Sequence, residues 1–139
     1  MTVFERVVVG VDGRAGGRDA LVLASLLRGF CGGALTAVYA YPFDRTVALD
    51  RAGAVEAVLE EDLRATVEAE LARCGVDARP LVVAEGAPAR ALQAIAERDR
   101  AGLIVVGTRE LSHVERMLGY SVSEGVQRMA RCDVLIVHS

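Results

Sequence analysis

The sequence predicts an α/β fold: a single open sheet of five parallel strands with helices on both faces. Three observations carry this. Apolar, largely β-branched runs of strand length recur along the chain, as in Val7-Val8-Val9-Gly10-Val11 and Leu103-Ile104-Val105-Val106. Stretches of helical apolar spacing lie between them, so strand and helix alternate, the pattern of parallel strands joined by crossovers. The strand runs are also continuously apolar rather than alternating, as in strands buried on both faces. With 139 residues, 53% of them hydrophobic, the chain predicts one domain with a substantial core.

Taken in order, Val7 to Val11 is the first strand, and it ends at Asp12-Gly13 and a glycine-containing turn that runs to Gly17. Asp19 to Gly29 reads as an Ala- and Leu-rich helix, with Gly29 near its C-terminal end. Ala34 to Tyr41 is the second strand, closed by Pro42, which cannot continue a central ladder. Residues 43–53 have no clear period and read as a loop. From Ala54 to Arg73, Val55, Val58, Leu59, Leu63, Val67 and Leu71 fall on one helical stripe, with Gly75 as the stop. The opposite face carries Glu56, Glu60, Arg64 and Glu68, and the run Glu60-Glu61-Asp62 reads as solvated.

A third strand follows from about Asp77 to Ala84, then a turn at Gly86-Ala87-Pro88, with Pro88 suited to a first helical position. Ala89 to Asp99 is the third helix, and Leu103 to Val106 the fourth strand, ending at Gly107. Residues 108–120 form a long loop. Ser121-Val122-Ser123-Glu124 then has the spacing of a capping box, with Val122, Val126 and Met129 on one face of the helix it opens. Val134 to Val137 is the fifth strand, short and apolar; it reads as terminal in the sheet, the alternative being a central, fully covered strand.

Composition excludes several classes of function. A formal net charge of −3 gives no electrostatic footprint for nucleic acid or a membrane surface. No apolar run approaches the ~20 residues of a membrane span. The first residues lack the basic-then-apolar pattern of a signal peptide, so a cytoplasmic protein is expected. All 16 cationic side chains are arginine, which removes the Walker-type lysine, the Schiff base, the serine–lysine dyad and the switch lysine of a receiver domain. Six aromatic residues are too few to wall a flavin. Cys31, Cys74 and Cys132 read as reduced, buried thiols, and with two widely separated histidines, His113 and His138, they offer no metal-binding spacing. No nucleophile elbow is present. No enzymatic activity and no metal are expected.

In parallel sheets of this type ligands sit beyond the carboxyl ends of the strands, where the strand order reverses. Those ends are Asp12-Gly13, Ala40-Tyr41 and Gly107-Thr108-Arg109. Asp12 either points into the ligand crevice or caps its own turn through backbone N–H groups. Ser121, Val122 and Ser123 at a helix N-terminus make an anion cradle of free N–H groups and two hydroxyls, with Arg109 as counter-charge. The same two serines serve equally as caps of that helix.

Five segments, in order, carry a resemblance that runs the length of the chain. They are Val9-Gly10-Val11-Asp12-Gly13, Glu85-Gly86-Ala87-Pro88-Ala89, Leu103 through Arg109, Ser121-Val122-Ser123-Glu124 and Cys132-Asp133-Val134-Leu135-Ile136-Val137. On these the chain resembles the universal stress protein family. The resemblance implies a Rossmann-like sheet of the adenine nucleotide α-hydrolase type, a homodimer paired through the last strand, and a role in stress response rather than metabolic catalysis. It maps adenine and ribose contacts to Val11, Asp12, Ala40, Val106 and Gly107, and phosphate contacts to Ser121, Val122 and Ser123. Arg109 is added on charge grounds alone.

Many members of that family bind ATP through G-x2-G-x9-G-[S/T]. Here Gly107 and Ser121 match, but the second glycine position holds Glu110 and the third Tyr120, with Gly119 one residue early. A glutamate ~5 Å from a phosphate charge costs about 3 kcal/mol at an effective dielectric near 20, unless Mg²⁺ or Arg109 screens it. Tyr120 adds a side chain where the family's backbone approaches the ligand. Two readings follow. One is a homodimeric stress-response module with absent or weak adenine nucleotide binding. The other is a switch, or slow ATPase, that binds ATP with Mg²⁺ at the ends of the first, second and fourth strands and the loop 107–123. The sequence identifies no particular protein partner.

Overall fold

Three consecutive valines at the middle of the sheet show how both faces are built. In the computed structural model, which describes residues 5–11, 15–30, 32–41, 52–84, 87–107 and 122–138, β1 (Arg6–Gly10) buries Val7, Val8 and Val9 completely. Successive side chains of a strand point to opposite faces, so Val7 and Val9 enter one core and Val8 the other. The stretch of a strand that feeds two cores has no place for a polar residue, and the one charged residue of β1, Arg6, lies at its exposed head.

The remaining elements are α1 (Ala15–Gly29), β2 (Ala34–Tyr41), α2 (Ala52–Cys74), β3 (Arg79–Ala84), α3 (Pro88–Asp99), β4 (Leu103–Gly107), α4 (Val122–Met129) and β5 (Asp133–Val137). All strands are parallel, in the order β3-β2-β1-β4-β5. The chain moves outward from β1 to β3, then returns to place β4 on the other side of β1. The order therefore reverses between β1 and β4.

Helices α1 and α2 cover one face. Ala20, Leu21 and Ala24 of α1 and Val67 and Leu71 of α2 pack with Val7, Val9, Leu35, Ala37, Leu103 and Val105. Helices α3 and α4 cover the other, where Leu92, Ile95, Ala96 and Val126 pack with Val8, Val38, Ile104 and Val106. One ion-pair cluster ties the first pair of helices together. Arg18 of α1 donates through Nε and Nη2 to the two carboxylate oxygens of Glu70 at 2.7 and 3.2 Å, and Arg73 donates to Glu70 Oε1 at 3.1 Å. Glu70 is buried, so this bidentate contact compensates its desolvation. The Glu70 bond and charge also hold the Arg18 guanidinium proton more firmly than usual.

Helix ends follow the expected chemistry, with one exception. Pro88 opens α3, and Gly75 ends α2 with φ +64°. At the end of α3 the same left-handed position is filled by Arg100, φ 54°, whose N–H donates back to Glu97 O at 3.2 Å. Several expectations shift. Helix α1 begins at Ala15, a turn before Asp19, because its first N–H groups need no intrahelical partner and glycine costs least there. Helix α2 begins at Ala52 rather than Ala54, and β3 at Arg79 rather than Asp77.

Cys74 and Cys132 are free thiols, but they are half-buried rather than buried, because each lies at a junction between elements. Met129 is 39% exposed instead of sharing the buried face with Val126, which is completely buried. It lies on the last residue of α4, beyond the cover of α3.

Candidate functional site

The carboxyl edge of the sheet is assembled by register. β1 pairs with β2 as far as Gly10–Val38, and Val11 N then donates to Val38 O at 2.9 Å. β4 runs with β5 as far as Gly107–Val137. Between β1 and β4, however, the ladder spans only Val7–Leu103 to Val9–Val105. Pairing between the two central strands thus ends two residues short of Gly107. Val11, Val106 and Gly107 stand at that opening, at the reversal of strand order, and Ala40 lies on the neighbouring strand.

Side-chain roles within this group differ. Val11 is half-buried and packs toward the α1–α2 core, and Ala40 is half-buried. Val106 is 2% exposed and packs among Val8, Leu92 and Val126. It can therefore offer a ligand only its backbone. Gly107 has no side chain to obstruct the edge. These four supply an apolar, uncharged floor suited to a flat heterocycle and its sugar, and backbone groups for polar contact.

Packing between helices aims α4 at the same edge. A Cβ added at Gly125 would lie 2.8 Å from Ala89 Cβ, so α4 crosses α3 at a contact that only hydrogen at position 125 allows. A Cβ at Gly10 would lie 3.2 Å from Leu92 Cδ1, so this glycine lets α3 approach the end of β1. The sequence reading missed both as positioning residues. The signal available was a glycine within an apolar run, Val7 to Val11, and another within a helical pattern, Val122 to Met129. Val122 and Ser123 form the first turn of α4, whose N–H groups carry partial positive charge, and Glu124 stands beside them. Asp12, Arg109 and Ser121, together with Glu110, His113 and Tyr120, lie outside the described residues.

A cavity of about 460 Å³ lies not here but at the opposite, amino edge, between Arg6, Thr36, Arg79 and Arg100. Ligands in this architecture sit at the carboxyl ends of the strands, so that cavity lies apart from the candidate site. Among the described residues there is no group of three or more His, Cys, Asp or Glu side chains that could hold a metal ion. No described helix is long and apolar enough to cross a membrane.

The open parallel sheet and the reversal of strand order between β1 and β4 define a Rossmann-like domain. Residues 4–138 match the model of the universal stress protein family, and the chain belongs to that family. A universal stress protein of Mycobacterium tuberculosis (strain H37Rv) is 45% identical over 64 residues, which are 46% of this chain and 42% of that relative. The match thus spans less than half the length of this curated relative. A universal stress protein solved in complex with cAMP superimposes with a TM-score of 0.75 at 28% identity, covering 99% of this chain and 98% of that one. The Archaeoglobus fulgidus universal stress protein solved with dAMP gives 0.67 at 17% identity, covering 98% of this chain and 99% of that one, a likeness of fold.

Proposed function

We propose that this chain is a non-catalytic regulatory module of the stress response, cytoplasmic and homodimeric, that binds adenine mononucleotides weakly in the β1–β4 crevice. The observation that carries the reading is the end of the β1–β4 ladder at Val9–Val105, which opens the edge where Val11, Ala40 and Gly107 stand. The cAMP complex of the structural relative at 28% identity supports a ligand of that class. Val11, Ala40 and the Val106–Gly107 backbone receive the base and sugar. Val122 and Ser123, with Ser121, receive a single phosphate at the α4 N-terminus.

A triphosphate is a poorer fit for two reasons. Glu110 and Tyr120 occupy positions where ATP-binding relatives use glycine, and Glu124 in the first turn of α4 adds a second carboxylate near that helix end. Each repels a chain of phosphate charges more than it repels a cyclic monophosphate with one. If Mg²⁺ accompanied a triphosphate, it would offset that repulsion. In this reading the module acts by occupancy.

Titration calorimetry of nucleotide-free protein tests this. cAMP and AMP are expected to bind in the high micromolar range and MgATP more weakly, with Glu110→Gly improving MgATP by about tenfold or more and leaving cAMP nearly unchanged. Absence of heat with every adenine nucleotide up to millimolar concentration would remove nucleotide binding altogether. MgATP binding tighter than cAMP in the wild type, with slow ADP release, would replace the module with the ATP-dependent switch.

A further inference from the structure

The amino edge of the sheet, opposite the nucleotide crevice, carries a second feature. Arg6 at the head of β1, Arg79 at the head of β3, and Arg98 and Arg100 at the end of α3 all line the cavity of about 460 Å³. Among the described residues of that lining Asp99 is the one acidic side chain, which leaves a surplus of three positive charges there on a chain whose net charge is −3. Charge of one sign concentrated in a concave surface, against the sign of the whole molecule, focuses the field toward an anion.

Asp99 does not neutralise this group; it organises half of it. Its carboxylate accepts from Arg98 Nε at 3.0 Å and its carbonyl accepts from Arg6 Nη1 at 3.3 Å. The guanidinium groups of Arg79 and Arg100 make no ion pair or hydrogen bond with any other described residue. Two forks are thus held and two are open, and a fork is the geometry that matches phosphate oxygens in pairs.

Arg100 adds an independent observation. It adopts φ 54° and ψ 43°, a left-handed conformation that an L side chain resists, at the position where α2 uses Gly75. A glycine would end α3 with less strain. An arginine there, with its N–H donating to Glu97 O, places a guanidinium at the cavity at a cost in local conformation, as found at functional positions. The same cap, with Ala101 N donating to Ala96 O at 2.8 Å, satisfies the last carbonyls of α3, so an anion would not face them bare.

From these features we infer that the amino-edge cavity is a second ligand site, and that it binds a small oligophosphate anion. The volume is that of a small-molecule site. Among the described residues no aromatic side chain lines it, so they offer a nucleobase nothing to stack on. Several positive charges gathered within one cavity match an anion whose charges are equally close together, as in a di- or triphosphate. An extended acidic peptide spaces its charges at every residue and would engage fewer of them at once.

Inorganic tripolyphosphate is the probe, measured by calorimetry on the intact chain at low and at physiological salt. Wild type is expected to bind it with an affinity that falls with salt, and Arg79→Gln/Arg100→Gly is expected to bind at least about tenfold more weakly. The glycine at position 100 relieves the left-handed strain, so this variant folds. Arg64→Gln/Arg90→Gln removes the same charge elsewhere and is expected to bind as wild type does. The proposal is overturned if wild type gives no binding at millimolar probe, or if both double variants lose affinity equally. Tighter binding of a hexaglutamate peptide than of tripolyphosphate would overturn it as well, in favour of a protein partner.

Discussion

Cys132 sits between the end of α4 and the start of β5, half-buried next to Asp133. Burial pushes its thiol pKa up, and the adjacent carboxylate pushes it further in the same direction. The folded chain therefore keeps the thiol proton to a higher pH than the unfolded chain does. Unfolding releases that proton once the pH passes the ordinary thiol value of about 8.5, so this contribution to stability is complete below that point and declines as the pH climbs toward the folded pKa. Urea midpoints of wild type and Cys132→Ala, compared at about pH 8 and about pH 10, check this. The wild type is expected to lose more stability over that interval; equal losses would mean that the site does not hold the proton. Other single residues show where one-dimensional reading stops. Arg100 was unremarkable as a sequence position, because nothing in the string Arg98-Asp99-Arg100-Ala101 marks a left-handed cap without a glycine. Glu70 reads as one more charge on a wet helix, and only the approach of Arg18 from α1 turns it into a buried partner. Val106 lies at the end of β4 beside Gly107, and that its side chain turns inward, leaving only its backbone at the edge, depends on α3 and α4 packing over it.

Among the elements, the strands were the most legible. A run such as Leu103 to Val106 is apolar at every position because both faces of β4 are covered, and no amphipathic helix needs that pattern. Helix starts were less so: the first turn of α1 contains Gly16 and Gly17, which lower helix propensity without preventing helix where the N–H groups are free anyway. Least legible was the contact between α3 and α4, which sets where the N-terminus of α4 points. It depends on Gly125 and Ala89, two small residues on different helices. Gly125→Ala is expected to destabilise the chain by about 1–2 kcal/mol, even though alanine favours helix over glycine by about 1 kcal/mol, because the new methyl group meets Ala89 at 2.8 Å. Ala89→Gly in the same chain makes room and should recover most of the loss. Thermal unfolding of the two single variants and the double variant decides it. A Gly125→Ala protein as stable as wild type, or a double variant no better than the single, would show that the helices separate at no cost.

At the scale of the whole molecule, the two edges of the sheet are protected differently. β3 at one edge opens with Arg79-Pro80, and a charge and a proline are the usual means of blocking edge-to-edge pairing. β5 at the other edge has a charge only at its first residue, Asp133, and then four apolar residues that are all half-buried, whereas β4 buries Leu103 to Val106 fully. The sequence reading identified β5 as terminal, but the strand order that leaves β3 as the opposite, guarded edge follows only from the crossover back past β1. An unguarded apolar edge pairs most simply with its own copy across a twofold axis, because the same residues then satisfy both protomers. Sedimentation equilibrium at micromolar concentration is expected to give about twice the chain mass of 14.7 kDa, and hydrogen exchange should locate the contact. Amides of β5 should exchange slowly in the dimer and faster as dilution shifts it to monomer, while those of β3 remain indifferent to concentration. A single 14.7 kDa species at all concentrations would exclude the dimer, and protection that follows β3 instead would place the interface on the guarded edge.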